Sequence, residues 1–217
     1  MNKIFLFALA LTVYQFGFTQ ENTIKLKSVE LNLVVNKQLD MVGNIKYYFM
    51  SFNAIPTIEE RNQITNLGVT FLEYIPNKTY VVNLDEKCEL SALSEYGVIA
   101  LIPIIGKHKL DPKIQNNIFP DWAINNGKLS IKVLLYKDAN TSAIQEIFKS
   151  NGYKIDATNL MSNSITITIK PSELSAIANM SSVWYIEPID PPSEKENKTG
   201  RTLHRSNTIN TKYASGR

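Results

Sequence analysis

The sequence predicts an α+β protein with two small tandem domains that share one order of elements: strand, helix, strand, strand, helix, strand. The first observation behind this prediction is that residues 45–105 and 128–189 show the same succession of apolar patterns and turn residues. The second is composition, because 44% hydrophobic and 20% charged residues are typical of a folded chain. Two copies of roughly sixty residues favour two domains over a solenoid, which needs more and shorter repeats.

A short motif fixes the spacing between the two copies. Gly152 lies 84 residues after Gly68. The same distance separates Glu173–Ile177, with the sequence Glu-Leu-Ser-Ala-Ile, from Glu89–Leu93, with the sequence Glu-Leu-Ser-Ala-Leu. The chain therefore contains an internal duplication.

The amino terminus has the features of an export signal. Lys3 precedes an apolar run from Ile4 to Phe18, which has the length of a signal-peptide core and is short for a membrane span. We expect export and a mature chain that begins near Gln20; a retained anchor or a buried helix is the alternative. From residue 20 to 43, weak alternation of apolar residues predicts an edge strand or an extended arm.

Six elements are predicted in the first copy, where apolar patterns are bounded by turn residues. They are strands at Ile45–Phe52, Val69–Tyr74, Thr79–Leu84 and Val98–Ile102, a helix from Thr57 to Gly68, and a helix at Lys87–Tyr96.

The first of these helices has a clear start and end. Thr57 and Glu60 have the spacing of a capping box, and Gly68 suits the left-handed backbone that follows a helix. Ile58, Ile64 and Leu67 are predicted to form its buried stripe.

The connector between the copies spans residues 106–128. Asp111 precedes Pro112, a residue favoured at the first position of a helix, so a short helix is predicted there. Four apolar residues of the connector are expected to pack across the joint between the domains: Ile114, Ile118, Phe119 and Trp122.

The second copy follows the same plan. The predicted elements are strands at Leu129–Leu135, Lys154–Thr158, Ser164–Ile169 and Val183–Ile186, a helix at Thr141–Ser150, and a helix that begins at Pro171. In the first helix Ile144, Ile147 and Phe148 are predicted to point inward.

The βαββαβ order predicts a ferredoxin-like domain in each copy: a four-stranded antiparallel sheet with both helices on one face. The other face of each sheet is then free to meet a partner. The predicted divisions are a signal peptide at 1–19, an arm at 20–43, domains at 44–105 and 129–190, a helical connector at 106–128, and a flexible linker at 191–217.

Catalytic and metal-binding patterns are scarce. A nucleophile needs a base within hydrogen-bond reach, and the two histidines are His108, between two lysines, and His204, in the linker. A dyad of Cys88 with His108 is the remaining alternative, although Cys88 falls in a predicted helix and is expected to be a small buried residue. One cysteine and two distant histidines offer no zinc spacing, so no catalytic, cofactor or metal residue is predicted.

Composition also bears on the partner. The formal net charge of +3 is too small to require nucleic acid or an acidic membrane. RNA-recognition domains share the βαββαβ order but need aromatic residues on their central strands, whereas Tyr80–Leu84 and Ser164–Ile169 carry at most one. We expect no nucleic-acid partner; a small-ligand regulatory domain is not excluded by pattern.

Several segments of the chain resemble the pro-region of secreted bacterial subtilisin-like serine peptidases. They are Tyr47–Phe49, Pro56-Thr57, Leu67–Val69, Leu72–Asn77, Tyr80–Val82, and Arg201–Asn207 with Ile209. The resemblance extends over nearly all of residues 45–217 and rests on apolar patterns and turn residues.

The resemblance implies a precursor whose ferredoxin-like pro-domains assist folding of the peptidase and inhibit it until they are cut away. The family's catalytic motifs, Asp-Ser/Thr-Gly, His-Gly-Thr and Gly-Thr-Ser-Met-Ala/Ser, do not occur here, so no catalytic residue is carried over. We expect the catalytic domain to be missing beyond Arg217, and the partner to be that domain or a cognate peptidase.

The resemblance also implies that residues from Glu187 to about Lys198 lie along the substrate cleft of the peptidase. The second domain is closer to this segment, so we expect it to be the inhibitory one. The alternative is a free-standing exported protein-binding module with the same two domains.

Overall fold

The computed structural model describes residues 23–25, 30–32 and 39–192. The expected signal peptide at 1–19 and most of the expected linker at 191–217 lie outside the described residues. Within the described part, the chain is a mixed α+β protein whose sheets are antiparallel, as predicted. No helix there is long and apolar enough to cross a membrane.

Two short strands precede the first large sheet. β1 (Thr23–Lys25) and β2 (Glu30–Asn32) pair antiparallel with each other. Ile24 is fully buried. The described part of the arm therefore forms its own small sheet and adds no edge strand to a larger one.

The first large sheet has four antiparallel strands in the order β4–β5–β3–β6. In chain order its elements are β3 (Tyr47–Phe52), α1 (Ile58–Asn66), β4 (Val69–Ile75), β5 (Thr79–Leu84), α2 (Leu90–Leu93) and β6 (Val98–Pro103). The second helix is shorter than predicted, because residues Ser94–Tyr96 form a 3-10 turn that ends at Gly97 in the left-handed region.

The predicted capping box of α1 is confirmed. The Thr57 hydroxyl accepts a hydrogen bond from the Glu60 backbone at 3.2 Å, and the Glu60 carboxylate accepts one from the Thr57 backbone at 2.7 Å. The predicted stripe is only partly right. Ile64 is buried, whereas Ile58 is 64% exposed because it occupies the first position of the helix, away from the sheet.

The connector folds onto the second half of the chain. The predicted short helix is confirmed as α3 (Pro112–Gln115), with the Asp111 carboxylate accepting a hydrogen bond from the Lys113 backbone. Ile114 and Phe119 pack into the helix-side core of the second half. Ile118 and Trp122 are 60% and 46% exposed, so the prediction that the connector residues cross the joint is wrong.

The second large sheet has the strand order β11–β8–β10–β9, and β7 (Ile124–Asn125) pairs with the start of β8. Its main elements are β8 (Lys128–Leu135), α4 (Thr141–Ser150), β9 (Lys154–Asn159), β10 (Ser164–Ile169), α5 (Leu174–Ala178) and β11 (Val183–Pro188). In α4, Ile144 and Phe148 are buried, but Ile147 is 42% exposed, contrary to prediction.

The end of β11 corrects one further expectation. Glu187 and Pro188 pair with Lys132 and Ile131 in β8. Because both residues belong to the sheet, a segment free to lie in a partner's cleft starts after Pro188 and not at Glu187.

Each sheet packs its helices on one face. Ile64 and Leu93 lie against Tyr48, Met50 and Val82 in the first half. Ile144, Phe148 and Ile177 lie against Ile131 and Ile167 in the second. Apolar contact of this kind is worth roughly 1.5–3 kcal/mol for each fully buried large side chain, which makes these two cores the main source of stability.

Candidate docking face and domain junction

The second sheet keeps one face partly exposed. Alternate residues of the central strands β8 and β10 and of the edge strand β11 point away from the helices. We call this surface the open face: Ser130, Lys132, Thr166, Thr168 and Glu187. Lys132 faces Thr166 on one side and Glu187 on the other. The surface is therefore polar across at least three strands.

Charges on and beside the open face are paired with one another. Lys132 lies 3.4 Å from Glu187, and Lys154 lies 2.7 Å from Asp156. Burial acts to raise the pKa of Asp156, but hydrogen bonds from Lys154 and Thr168 outweigh it and hold the pKa below its usual value. Since exposed ion pairs are worth little for stability, these groups remain available to a polar partner.

The corresponding face of the first sheet is not free, contrary to prediction. A third apolar cluster covers it, and we call this region the junction. Its buried members are Ile24, Tyr47, Phe49, Ile75, Val81, Ile104 and Tyr136, and Leu31, Leu72, Ile102, Ala139 and Trp184 pack against them. The junction therefore joins the first sheet to the small β1–β2 sheet and to one end of the second large sheet.

Contacts between aromatic side chains stabilise the junction. The Tyr47 and Tyr136 rings are stacked, with centroids 3.6 Å apart and planes 3° apart. Trp184 lies 5.3 Å from Tyr136 and meets Phe49 edge-on at 6.4 Å. Aromatic pairs of this kind contribute about 0.5–1.5 kcal/mol each beyond the area that they bury.

A polar contact also crosses the junction. Asp138 accepts hydrogen bonds from the Tyr47 hydroxyl at 3.0 Å and from the Asn83 side-chain amide at 2.7 Å. Burial, followed by the nearby Asp138 carboxylate, raises the pKa of Tyr47. Hydrogen bonds to an ionised acceptor are stronger than neutral ones, so Asp138 ties the second half to two strands of the first.

The candidate residue His108 lies beside the junction. It belongs to the 3-10 turn Gly106–Lys109, is 7% exposed, and is 6.2 Å from the Phe49 ring. Burial lowers the pKa of His108, and Lys107 and Lys109 lower it further, against the opposing effect of a hydrogen bond to the Pro103 carbonyl. A neutral imidazole at this position supports the packing of the turn.

Lys109 is a buried cation between the two halves. It is 4% exposed, and its ammonium group donates a hydrogen bond to the Met180 carbonyl at 2.9 Å, just beyond the end of α5. The ring of Tyr136 lies 5.9 Å from the same nitrogen. Burial lowers the pKa of Lys109 to about 8.

The structure separates the two members of the proposed dyad. Cys88 packs against the helix-side core of the first sheet, whereas His108 contacts Phe49 on the opposite face. Burial raises the pKa of Cys88, and the carboxylates of Asp85 and Glu89 raise it further, which makes its thiol a poor nucleophile at neutral pH. Cys88 and His108 therefore form no catalytic pair.

The described residues contain no group of three or more His, Cys, Asp or Glu side chains placed to hold a metal ion. His204 lies outside the described part of the chain.

Comparison with known proteins found one family whose model matches part of the chain. A family described as a domain of unknown function, DUF8729, matches residues 17–105, which is less than half of the sequence. No curated protein and no solved structure matches the chain. The match includes the first large sheet, and the description of the family names no activity.

Sequence reasoning missed the junction, although one signal points to it. All six residues of β3 are buried, and its sequence, Tyr-Tyr-Phe-Met-Ser-Phe, is almost continuously apolar. In β8 the sequence Lys-Leu-Ser-Ile-Lys-Val-Leu-Leu alternates. A continuous apolar strand indicates burial on both faces, and an alternating strand indicates one exposed face.

Proposed function

We propose that this chain is a non-catalytic pro-region segment of a secreted subtilisin-like serine peptidase, acting as an intramolecular chaperone and inhibitor. We further propose that each half is a ferredoxin-like domain. The strand orders β4–β5–β3–β6 and β11–β8–β10–β9 support this, because both place the first and third strands of a βαββαβ unit at the centre of the sheet.

The observation that carries the proposal is the position of the open face relative to the chain exit. β11 is an edge strand of the second sheet, and the described chain leaves it after Pro188. A partner that covers the open face therefore lies beside the residues that follow. One binding event can then place both the sheet and the following segment on the same protein.

The first half has a supporting role in this proposal. Its second face is occupied by the junction, so among the described residues the sheet face available for the peptidase belongs to the second half. The open face of the second sheet binds the native-like peptidase and not its unfolded chain. By mass action, this binding shifts the equilibrium of the peptidase toward the folded state. The residues after Pro188 add to the partner as an extended peptide, through backbone hydrogen bonds.

The first test is whether the reading frame continues after Arg217 into a subtilisin-like peptidase, and the second uses that peptidase, produced separately from this chain. The isolated chain is expected to slow peptide hydrolysis and to speed recovery of activity after dilution from denaturant. Thr166→Arg introduces a bulky cation in the middle of the open face and should raise the inhibition constant by about tenfold or more.

The matched control is Thr70→Arg, an exposed position on β4 of the first sheet, which should leave the inhibition constant unchanged. If micromolar chain affects neither hydrolysis nor refolding, the proposal is wrong. A stop codon directly after Arg217 would instead favour the free-standing binding module.

A further inference from the structure

A groove of about 350 Å³ opens where the two halves meet. The apolar residues that line it come from both large sheets: Leu72, Val81, Leu134, Leu135, Tyr136 and Trp184. Glu73, Lys137 and Met161 also line the groove. Its volume is at the lower end of the range of about 300–1,000 Å³ that holds small ligands, so it is large enough for a Leu or Met side chain.

An apolar turn lies directly beside this groove. Leu160 is 71% exposed and Met161 is 100% exposed, in the turn between β9 and β10. Exposure of a single apolar residue is common, but two in succession next to an apolar groove form a patch of the kind that marks an interaction site.

The turn is held in place by hydrogen bonds at both ends. The Asn159 side chain accepts hydrogen bonds from the backbone of Met161 at 2.9 Å and of Ser162 at 3.1 Å. The Asn163 side chain donates one to the Tyr136 carbonyl at 2.6 Å and accepts one from the Thr141 hydroxyl. Because the turn is already ordered, little conformational entropy is lost when a partner binds it.

A surface that carries a protruding side chain beside a groove can pair with the same surface of a second copy of the chain. A two-fold axis between them places Met161 of each copy in the groove of the other, and such an isologous interface closes at two copies.

The charges around the groove can also pair with those of a second copy. Glu73 and Lys137 approach each other to 3.9 Å, with 50% and 68% of their side chains exposed. Each is therefore free to exchange its weak contact within one chain for a contact with the opposite charge on the second copy.

We propose that this surface pairs two copies of the chain, with the Leu160–Met161 turn of each seated in the groove of the other. The contact uses none of the residues that define the open face, so its test does not require the proposed peptidase partner. A patch of this size gives a weak dimer, with a dissociation constant on the order of 10–100 µM.

The first measurement is sedimentation equilibrium of the purified chain over a concentration series. Met161→Ser should weaken dimerisation by about a hundredfold, since a two-fold interface loses the apolar contact twice. The matched control is Ile58→Ser, which removes another largely exposed apolar side chain, 64% exposed and on α1, and should leave the dimerisation constant unchanged. Circular dichroism and the melting temperature of both variants check that the fold is intact.

A mixing experiment tests the charges. Lys137→Glu and Glu73→Lys should each weaken self-association, because like charges then meet across the two-fold axis. An equimolar mixture of the two variants should recover the dimer, since the mixed pair contains only opposite charges at these positions. Recovery of this kind requires contact between chains.

Three results would overturn the proposal: a chain that stays monomeric to about 500 µM, equal effects of Met161→Ser and Ile58→Ser, or a charge mixture that does not associate. A monomeric chain in which Met161→Ser weakens peptidase inhibition would assign the groove to the peptidase instead.

Discussion

The two halves of the molecule share an order of elements but differ in how their sheets are covered. In the first sheet, Phe49 lies between Val81 and Ile102 and is 1% exposed. At the corresponding place in the second sheet, Lys132 lies between Thr166 and Glu187 and stays partly exposed. The two halves thus both have an apolar helix-side core and differ in the chemistry of the opposite sheet face.

This difference fits the proposed function, in which the two sheets have different roles. The apolar face of the first sheet binds the second half of its own chain, so it acts as an internal interface. The polar face of the second sheet remains available to an external partner. Interfaces that form transiently are no more apolar than ordinary protein surface, which fits the composition of the open face.

The largest difference in the free energy of unfolding is expected when the central side chain of each of the two contrasting faces is truncated to alanine. Phe49→Ala should lower the free energy of unfolding by about 3–4 kcal/mol, because it leaves a cavity under Trp184 and His108. Lys132→Ala, its counterpart, should cost less than about 1 kcal/mol. Urea denaturation of both variants checks the comparison, and similar losses would mean that the open face is also covered.

The pH dependence of the free energy of unfolding tests the contact between the two halves, because Lys109 is buried there. This lysine loses its proton near pH 8 in the folded protein, against an ordinary value of 10.5. Between those values the unfolded chain binds more protons, so the free energy of unfolding rises with pH, by up to about 3 kcal/mol. Burial raises the pKa values of Tyr47 and Tyr136, so stability should fall again above pH 10.

Lys109→Met should remove the rise between pH 8 and 10, as measured by the denaturation midpoint at each pH. Lys132→Met is the matched control, because Lys132 is a partly exposed lysine of the open face and should leave the rise unchanged. A rise that persists in Lys109→Met would contradict this assignment.

The smallest difference in stability between the two halves is expected at the glycines that follow α1 and α4. Both have positive φ, +98° at Gly68 and +77° at Gly152. A Cβ at Gly68 would lie 3.1 Å from the Cys88 backbone, whereas one at Gly152 would meet nothing within 4 Å. We expect Gly68→Ala to cost about 2 kcal/mol and Gly152→Ala about 1 kcal/mol, and equal melting temperatures would contradict this ranking.

Local features of the fold could be predicted from sequence because they depend on neighbouring residues. The capping box at Thr57, the Pro112 helix start and the bounds of β5 and β10 are of this kind. The exposed positions of Ile58 and Ile147 could not, since the side of a helix that meets the sheet depends on the tertiary arrangement.

The candidate surfaces were predictable only in part. In β10, isoleucine alternates with serine and threonine, which indicates that one face of the strand is polar, and this polar face belongs to the open face. The junction brings together residues far apart in the chain, such as Tyr47 with Tyr136 and Asp138, and their pairing follows from how the two sheets pack. No local pattern encodes that packing.

The junction has a consequence for biosynthesis. A ribosome completes the first sheet well before it adds Trp184, the residue that shields Phe49. Until then, a nascent chain carries an uncovered apolar sheet surface, and such intermediates tend to aggregate. Slow translation or a truncated message should therefore harm this protein most when synthesis stops between the two sheets.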